Sequence, residues 1–432
     1  MSILADASAV LENGPVCDPC LGRCFADLSH GLTNEERGRS LRVAVAMAED
    51  EPVGEETECW VCEGASRRFD EFADRATAEL AGIEFETYQV GTRVPPLLEE
   101  NEAMLRDISA LPEDAGEQFK SEANREVGKR IGRETGRTVD FERPDVQVLL
   151  DLEDDTVDVH INSAFVYGRY RKLERGIPQT KWPCRECNGT GERAGEPCIH
   201  CEGTGYTYPE SVEQLIAPPV LSAMEGEEAK FHGAGREDID ALMVGTGRPF
   251  VLEVIGPKRR FPDLGTLLED VNDYGEGRVE VDGLRFATYE MVERVKSLPA
   301  SKTYRATVEF DEPVSPGDLS AAIGELDGRT VEQETPRRVD HRRASKVRER
   351  TVYDIDGEVE DERHATLEIH GEGGLYVKEL VSGDAGRTRP SLAGLLDTDV
   401  YVTALDVVAV RGEQEEFEDD SYFREPPNRK DA

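Results

Sequence analysis

Lysine is scarce in this sequence, aromatic residues make up 6% of it, and no apolar run reaches the ~18 residues that a membrane-spanning helix requires. Its first 30 residues contain no basic segment followed by an apolar stretch. Both absences lead us to expect a soluble, cytoplasmic protein with no membrane partner. There is no Gly-x-Gly-x-x-Gly opening a helix after a strand, no Gly-Lys-Ser/Thr phosphate loop, no His-Glu-x-x-His and no Gly-x-Ser-x-Gly. The usual signatures of nucleotide-driven, hydride-transfer, zinc-hydrolase and serine-hydrolase chemistry are therefore missing, and no nucleotide cofactor is expected. Positive charge is also short: 51 Lys+Arg stand against 91 Asp+Glu, a formal charge of -40. Apolar periodic segments nevertheless recur, and Gly and Pro are dispersed, so the acids read as a coat on a folded protein rather than as disorder. Such a coat suits a salt-loaded cytoplasm. Near 1 M salt the Debye length is roughly 3 Å, so the coat repels a phosphate only at close range and says little about partners.

At 432 residues the chain is long enough for two or three domains. A cap-like Thr33-Asn34-Glu35-Glu36 predicts a helix reaching Met47, and a second amphipathic helix is expected over 69–81. FETYQVGTRV reads as a strand and SEANREVGKRIGRETGR as a helix carrying Lys129, Arg130, Arg133 and Arg137. VQVLLDLEDDTVDVHINSAFVYGRY reads as two strands around an acidic turn at Glu153-Asp154-Asp155. Further on, helices are expected near 211–224 and 288–297, with strands at PFVLEVI, TYRATVEF, HATLEIHG and VTALDVVAV. Their uneven spacing indicates an α+β fold rather than a regular βαβ array. The end, from residue 412, reads as an acidic, frayed tail.

Eight of the nine cysteines form four Cys-x2-Cys pairs, a spacing that suits metal thiolates better than disulfides. Cys184/Cys187 and Cys198/Cys201 lie ten residues apart in an insert at 182–206, each pair followed by Gly-Thr-Gly. The glycines let backbone N–H groups approach sulfur, and a tetrahedral four-cysteine zinc is the expected occupant. Cys17/Cys20 and Cys59/Cys62 form a second candidate with a 38-residue gap, leaving Cys24 as a buried apolar residue or a substitute ligand. Four thiolates would close either site, which makes them structural rather than catalytic. Similar knuckles occur in the zinc domains of J-domain cochaperones, so a non-catalytic zinc-containing RNA-binding adaptor or cochaperone-like module is the rival reading; no His-Pro-Asp motif accompanies them.

Chemistry concentrates in FHGAGREDIDALMVGTGRPF, where Asp238 and Asp240 sit among glycines between Arg236 and Arg248. Tyr304 heads a strand, Tyr376 follows two glycines, and Arg337, Arg338, Arg342, Arg343, Lys346, Arg348 and Arg350 form the densest basic segment. GREDIDALMVGTGRPF, KTYRA, ETPRRVDHRR and YVKELVSGDAGRTRPS, in this order, resemble the archaeal and eukaryotic tRNA pseudouridine synthases of the tenth family. CDPCLGRCFA, CWVC, GTRVPP and VDFERPDVQVLLDL are similar to that family's zinc-binding, THUMP-containing accessory domain. The resemblance implies an accessory α/β domain over 1–174, a pseudouridine synthase fold with a mixed, mostly antiparallel sheet over 175–411, and a tail over 412–432. It implies tRNA as partner, the TΨC arm as substrate through uridine-55 or uridine-54, and the acceptor end held by the THUMP region. Arg236-Glu237-Asp238 is similar to an Arg-Thr-Asp motif of tRNA pseudouridine synthase A, which makes Asp238 the nucleophile and Asp240 a brace. Arg236 or Arg387 would then supply the cation that keeps it ionised. Tyr304 and Tyr376 would line the pocket for a flipped uridine, and the loop glycines would give it room. The chain departs from the family pattern at Leu242 and Ser382.

Overall fold

The computed structural model describes residues 2–54, 58–297, 299–338, 344–413 and 416–427. It divides into two compact units, 1–162 and 163–432. In the first, helices pack around a four-stranded sheet in the order Thr138–Val139, Thr87–Arg93, Val146–Asp151, Thr156–Ile161. Only the last pairing is antiparallel. The helix Asn34–Glu49 begins as its sequence predicts: Thr33 Oγ1 accepts from the Glu36 N–H while the Glu36 carboxylate accepts from the Thr33 N–H. This reciprocal cap satisfies two donors that a helix start leaves open. The expected helix at 69–81 runs Phe69–Glu79, and the charged helix runs Phe119–Thr135.

The segment expected to give two strands gives three, Val146–Asp151, Thr156–Ile161 and Ala164–Lys172. Asn162 turns the chain between the last two, donating to the Asp145 and Pro144 carbonyls. The third strand leaves the small sheet for the large one, so the units divide before it rather than at residue 174.

The second unit is built on a ten-stranded sheet. Its order is Val279–Ala287, Ala164–Lys172, Met243–Ile255, Val400–Gly412, Ala300–Phe310, His364–Gly371, Val347–Asp361, Thr330–Glu334, Thr388–Arg389, with Glu228–Gly233 also paired to Met243–Ile255. Every pairing is antiparallel except one, a parallel contact at Val407 and Met243 in the middle. That contact joins two half-sheets with separate apolar cores, one around Tyr167, Phe250 and Met291, the other around Val308, Leu326 and Leu367. Tyr304 packs against both. The helices Val212–Met224 and Tyr289–Ser297 lie where periodicity places them.

The end of the chain is not frayed over residues 416–424, contrary to its acidic composition. Phe417 is buried, Glu418 accepts from Tyr167 Oη at 2.5 Å and Arg169 Nε at 2.9 Å, and Phe423 meets the Tyr167 ring edge-on. Three aromatic residues in the run outweigh its charge, because each hides apolar area against the sheet.

Helices Asp18–Arg23 and Asn34–Glu49 cross with backbones nearly touching: a Cβ on Gly38 would lie 1.8 Å from the Asp18 carbonyl oxygen, and one on Gly22 1.8 Å from that of Asn34. Gly38→Ala should therefore cost ~3 kcal/mol. Faster hydrogen exchange over residues 17–49 than in the native chain is the expected reading, and equal protection would contradict it.

Candidate active site

The loop that carries Asp238 leaves the strand Glu228–Gly233 and returns at Met243, beside the parallel contact that joins the half-sheets. Leu242 fixes the return, its N–H donating to Asp406 and its carbonyl accepting from Val407. Beneath the loop lies a buried polar cluster. Glu237 faces inward, ion-paired to Arg248 Nε at 2.9 Å, accepting from Tyr170 Oη at 2.8 Å, with Lys172 Nζ at 3.8 Å. Lys172 donates to the Ile177 carbonyl at 2.9 Å and to the carbonyls of Asp238 and Ile239 at 3.2 Å each. Gln179 donates to Tyr170 Oη and to the Gly235 carbonyl, and Arg248 Nη1 donates to the Ala234 carbonyl. Burial opposes the Arg248 charge, but Glu237 together with Tyr170 and Tyr304 outweighs it and the pKa ends above its ordinary value. Burial lowers the Lys172 pKa, with Arg248 adding to that and Glu237 opposing it.

Because Glu237 points in, Asp238 points out. Its carboxylate is half-exposed and meets two cations from the other half-sheet, Lys378 Nζ at 3.2 Å and Arg338 Nη1 at 3.7 Å. Arg338 is held by Glu379 through Nε at 2.7 Å. Tyr376 is fixed through its backbone, which exchanges two 2.9 Å hydrogen bonds with the buried Gln333 amide. Tyr304 sits where the pairing register shifts, between Thr303 and Tyr304, a bulge that re-aims a side chain. Burial, reinforced by Asp238 and opposed by Arg248, pushes its phenol up to about 12, so the ring is neutral at working pH.

The two arginines expected to tune Asp238 do other things. Arg236 lies over the Trp182 ring, 5.9 Å from its centroid, and Arg387 pairs with Glu334 at 3.6 Å and Asp384 at 3.4 Å. The cations beside the Asp238 carboxylate are Lys378 and Arg338 instead. Asp240 is exposed, 3.5 Å from Lys378, and its carbonyl accepts from Arg175. The loop glycines make room for protein: a Cβ on Gly245 would lie 2.1 Å from the Val408 carbonyl oxygen, and one on Gly235 3.3 Å from Arg248 Nη1. Of the basic segment, Arg342 and Arg343 lie outside the described residues. Sequence reasoning passed over Glu237, Lys172 and Lys378. Two of them stand inside motifs already singled out, Arg-Glu-Asp and Tyr-Val-Lys, and their types carried the signal.

Two groups of four buried thiols, Cys17/Cys20/Cys59/Cys62 and Cys184/Cys187/Cys198/Cys201, each bring their sulfurs within 4.8 Å of one another. N–H groups face both, from Arg23 Nη2 to Cys20 Sγ at 3.0 Å and from Gly205 N to Cys201 Sγ at 3.2 Å. Donors of this softness and closeness fit a structural metal ion. Cys24 stands apart, its thiol donating to the Cys20 carbonyl. The first group belongs to the core of its unit, while the second forms a small cluster of its own. On the charged helix, Glu126 pairs with Lys129 and Arg130, and Asp70 also pairs with Arg130; Arg137, expected on the helix, lies past its Gly136 cap and against Phe85.

Residues 165–411 match the family model described as Pus10, C-terminal, and residues 72–151 the one described as Pus10 THUMP domain, archaeal. This chain belongs to the Pus10 family. The tRNA pseudouridine synthase Pus10 of Halorubrum lacusprofundi is 60% identical over 428 residues, covering 98% of this chain and 100% of that one. Its namesake in Methanothrix thermoacetophila is 45% identical, covering 95% of each. A solved Cbf5-Nop10-Gar1 complex aligns at 17% identity and TM-score 0.29 over 46% of this chain and 45% of that one, too loosely to carry an argument. As a Pus10 member the chain is a tRNA pseudouridine synthase, an isomerase of tRNA uridine whose two kinds of domain bind RNA. No helix among the described residues is long and apolar enough to cross a membrane.

Two outcomes are expected. Glu237→Gln leaves Arg248 and Lys172 buried without their carboxylate and should destabilise the second unit by ~3–5 kcal/mol, read as a lower urea midpoint; an unchanged midpoint would show the pair to be dispensable. Cys17→Ser should unfold the first unit, whereas Cys184→Ser should leave the main transition in place, because only the first cluster is part of a large core. Calorimetry of the two variants in molar KCl separates them.

Proposed function

We propose that this chain isomerises uridine-55 in the TΨC arm of tRNA, with Asp238 as nucleophile, and that uridine-54 is the neighbouring base the same pocket would accept. The observation that carries the reading is the placement of Asp238: its backbone is held from below by Lys172, its carboxylate by Lys378 and Arg338, near Tyr304, which packs against both cores. Opposite charges keep a carboxylate ionised and nucleophilic. The reaction breaks N1–C1′, turns the uracil and forms C5–C1′; the C5 proton leaves and N1 gains one, so neither redox partner nor energy source is consumed. Attack at C1′, attack at C6 and assistance of a glycal route are all open to an ionised carboxylate at this position. The neutral Tyr304 ring offers a stacking face for the extruded base.

The THUMP-containing unit takes the acceptor end of tRNA in this reading, with Arg133, exposed and lacking a carboxylate partner among the described residues, as a contact from the charged helix. Zinc is the ion assigned to both thiol clusters, since four thiolates select it. The work is done in the cytoplasm.

Unmodified tRNA transcript incubated with the protein in molar KCl should acquire a carbodiimide-dependent, alkali-resistant stop at position 55 in primer extension. Asp238→Ala should lose more than about a thousandfold in rate, and Asp240→Ala should remain active. A dead Asp240→Ala beside an active Asp238→Ala would overturn the assignment. Binding without conversion by the native chain would favour an RNA-binding adaptor instead.

A further inference from the structure

Arg236 has no carboxylate within ion-pair distance among the described residues, although acids outnumber bases 91 to 51 and the cations nearest the same loop are paired. It is exposed, and its guanidinium is held over Trp182. Trp182 stands two residues before Cys184, the first cysteine of the knuckle, and its ring packs edge-on against Tyr208, on the other leg, at 5.6 Å. Between them the two legs are laced together: Thr207 N–H donates to the Trp182 carbonyl, Pro183 bridges to Tyr206, and Cys184 N–H donates to the Gly205 carbonyl. Gln179 ties the incoming leg to the Asp238 loop through the Gly235 carbonyl at 2.9 Å. The knuckle therefore sets the Trp182 ring, and the ring sets Arg236.

The knuckle is a poor RNA surface itself: over 182–206 it carries Arg185 and Arg193 against Glu186, Glu192, Glu196 and Glu202. A guanidinium on an aromatic face keeps its outer N–H fork free for a planar, two-point acceptor. Where salt shortens the Debye length to roughly 3 Å, only such direct contact adds affinity. We propose that Arg236, posted by the metal-closed knuckle through Trp182, takes a backbone phosphate of the substrate RNA beside the extruded uridine. The knuckle metal thus serves substrate binding and not bond-making. The inference rests on the reading that RNA enters over Asp238.

The test measures tRNA dissociation constants across KCl concentrations and the single-turnover rate at saturating tRNA. Arg236→Ala should weaken binding about tenfold and flatten the salt dependence by the share of about one phosphate, a slope change of ~0.7–0.9, while the saturating rate falls less than about twofold. Arg236→Lys should recover part of the affinity. Trp182→Ala and Cys198→Ser should weaken binding to a similar degree, and adding Arg236→Ala to Trp182→Ala should cost little more, because the two act through one contact. Native affinity in Arg236→Ala, or a large loss of saturating rate with affinity intact, would overturn the clamp; the latter would make Arg236 part of the chemistry. Asp238→Ala run alongside keeps the two readings apart, since it addresses turnover and leaves the Arg236 affinity comparison standing.

Discussion

The site depends on a charged pair that never meets solvent. Glu237 and Arg248 are both fully buried, and with Lys172 they leave a net positive charge under the loop. Buried ion pairs contribute little to stability compared with apolar residues of the same shape, and they are expensive to break. What this one provides is direction. Adjacent residues in an extended loop face opposite ways, so locking Glu237 inward turns Asp238 outward, and the ammonium of Lys172 on the Asp238 carbonyl removes the remaining freedom. A hydrophobic residue at 237 could fill the space, yet it would leave Lys172 and Arg248 without a counter-charge.

The second constraint is architectural. The cations reach Asp238 from a different core than the one that holds its backbone: Lys378 lies on the segment whose Val377 and Leu380 pack in the Leu326 and Leu367 cluster, whereas Tyr170, which donates to Glu237, packs in the Phe250 cluster. The single parallel pairing at Val407 and Met243 holds these halves in register. Bonds from Leu242 to Asp406 and Val407 make the loop itself part of that joint. Small errors in the packing of either half would therefore appear as errors in the distance between carboxylate and cations.

Local order was legible in the sequence wherever a rule has short range. The Thr33 cap, the Phe69 helix and the strands at 249–255 and 364–371 follow from periodicity and end signals, and the paired cysteines announced their clusters. The family motifs singled out Asp238, Tyr304 and Tyr376, whose roles are proposals. What escaped was long-range. The charges beside Asp238 come from positions 338 and 378, and nothing near Arg236 in the chain says that Trp182 will claim its guanidinium. The Phe417–Phe423 segment misled for a related reason: charge dominates its composition, while three aromatic rings decide its fate.

That terminal segment also has a bearing on how the molecule is made. Tyr167 and Glu418, which share a hydrogen bond, are 251 positions apart. At synthesis rates of ~5–20 residues per second, the strand that carries Tyr167 and Arg169 waits on the order of tens of seconds for its acidic partner. Until then Arg169 is inside a nascent sheet without its carboxylate, and one aromatic face stays wet. One of the first strands of the large sheet thus gains its acidic and aromatic partners late in synthesis.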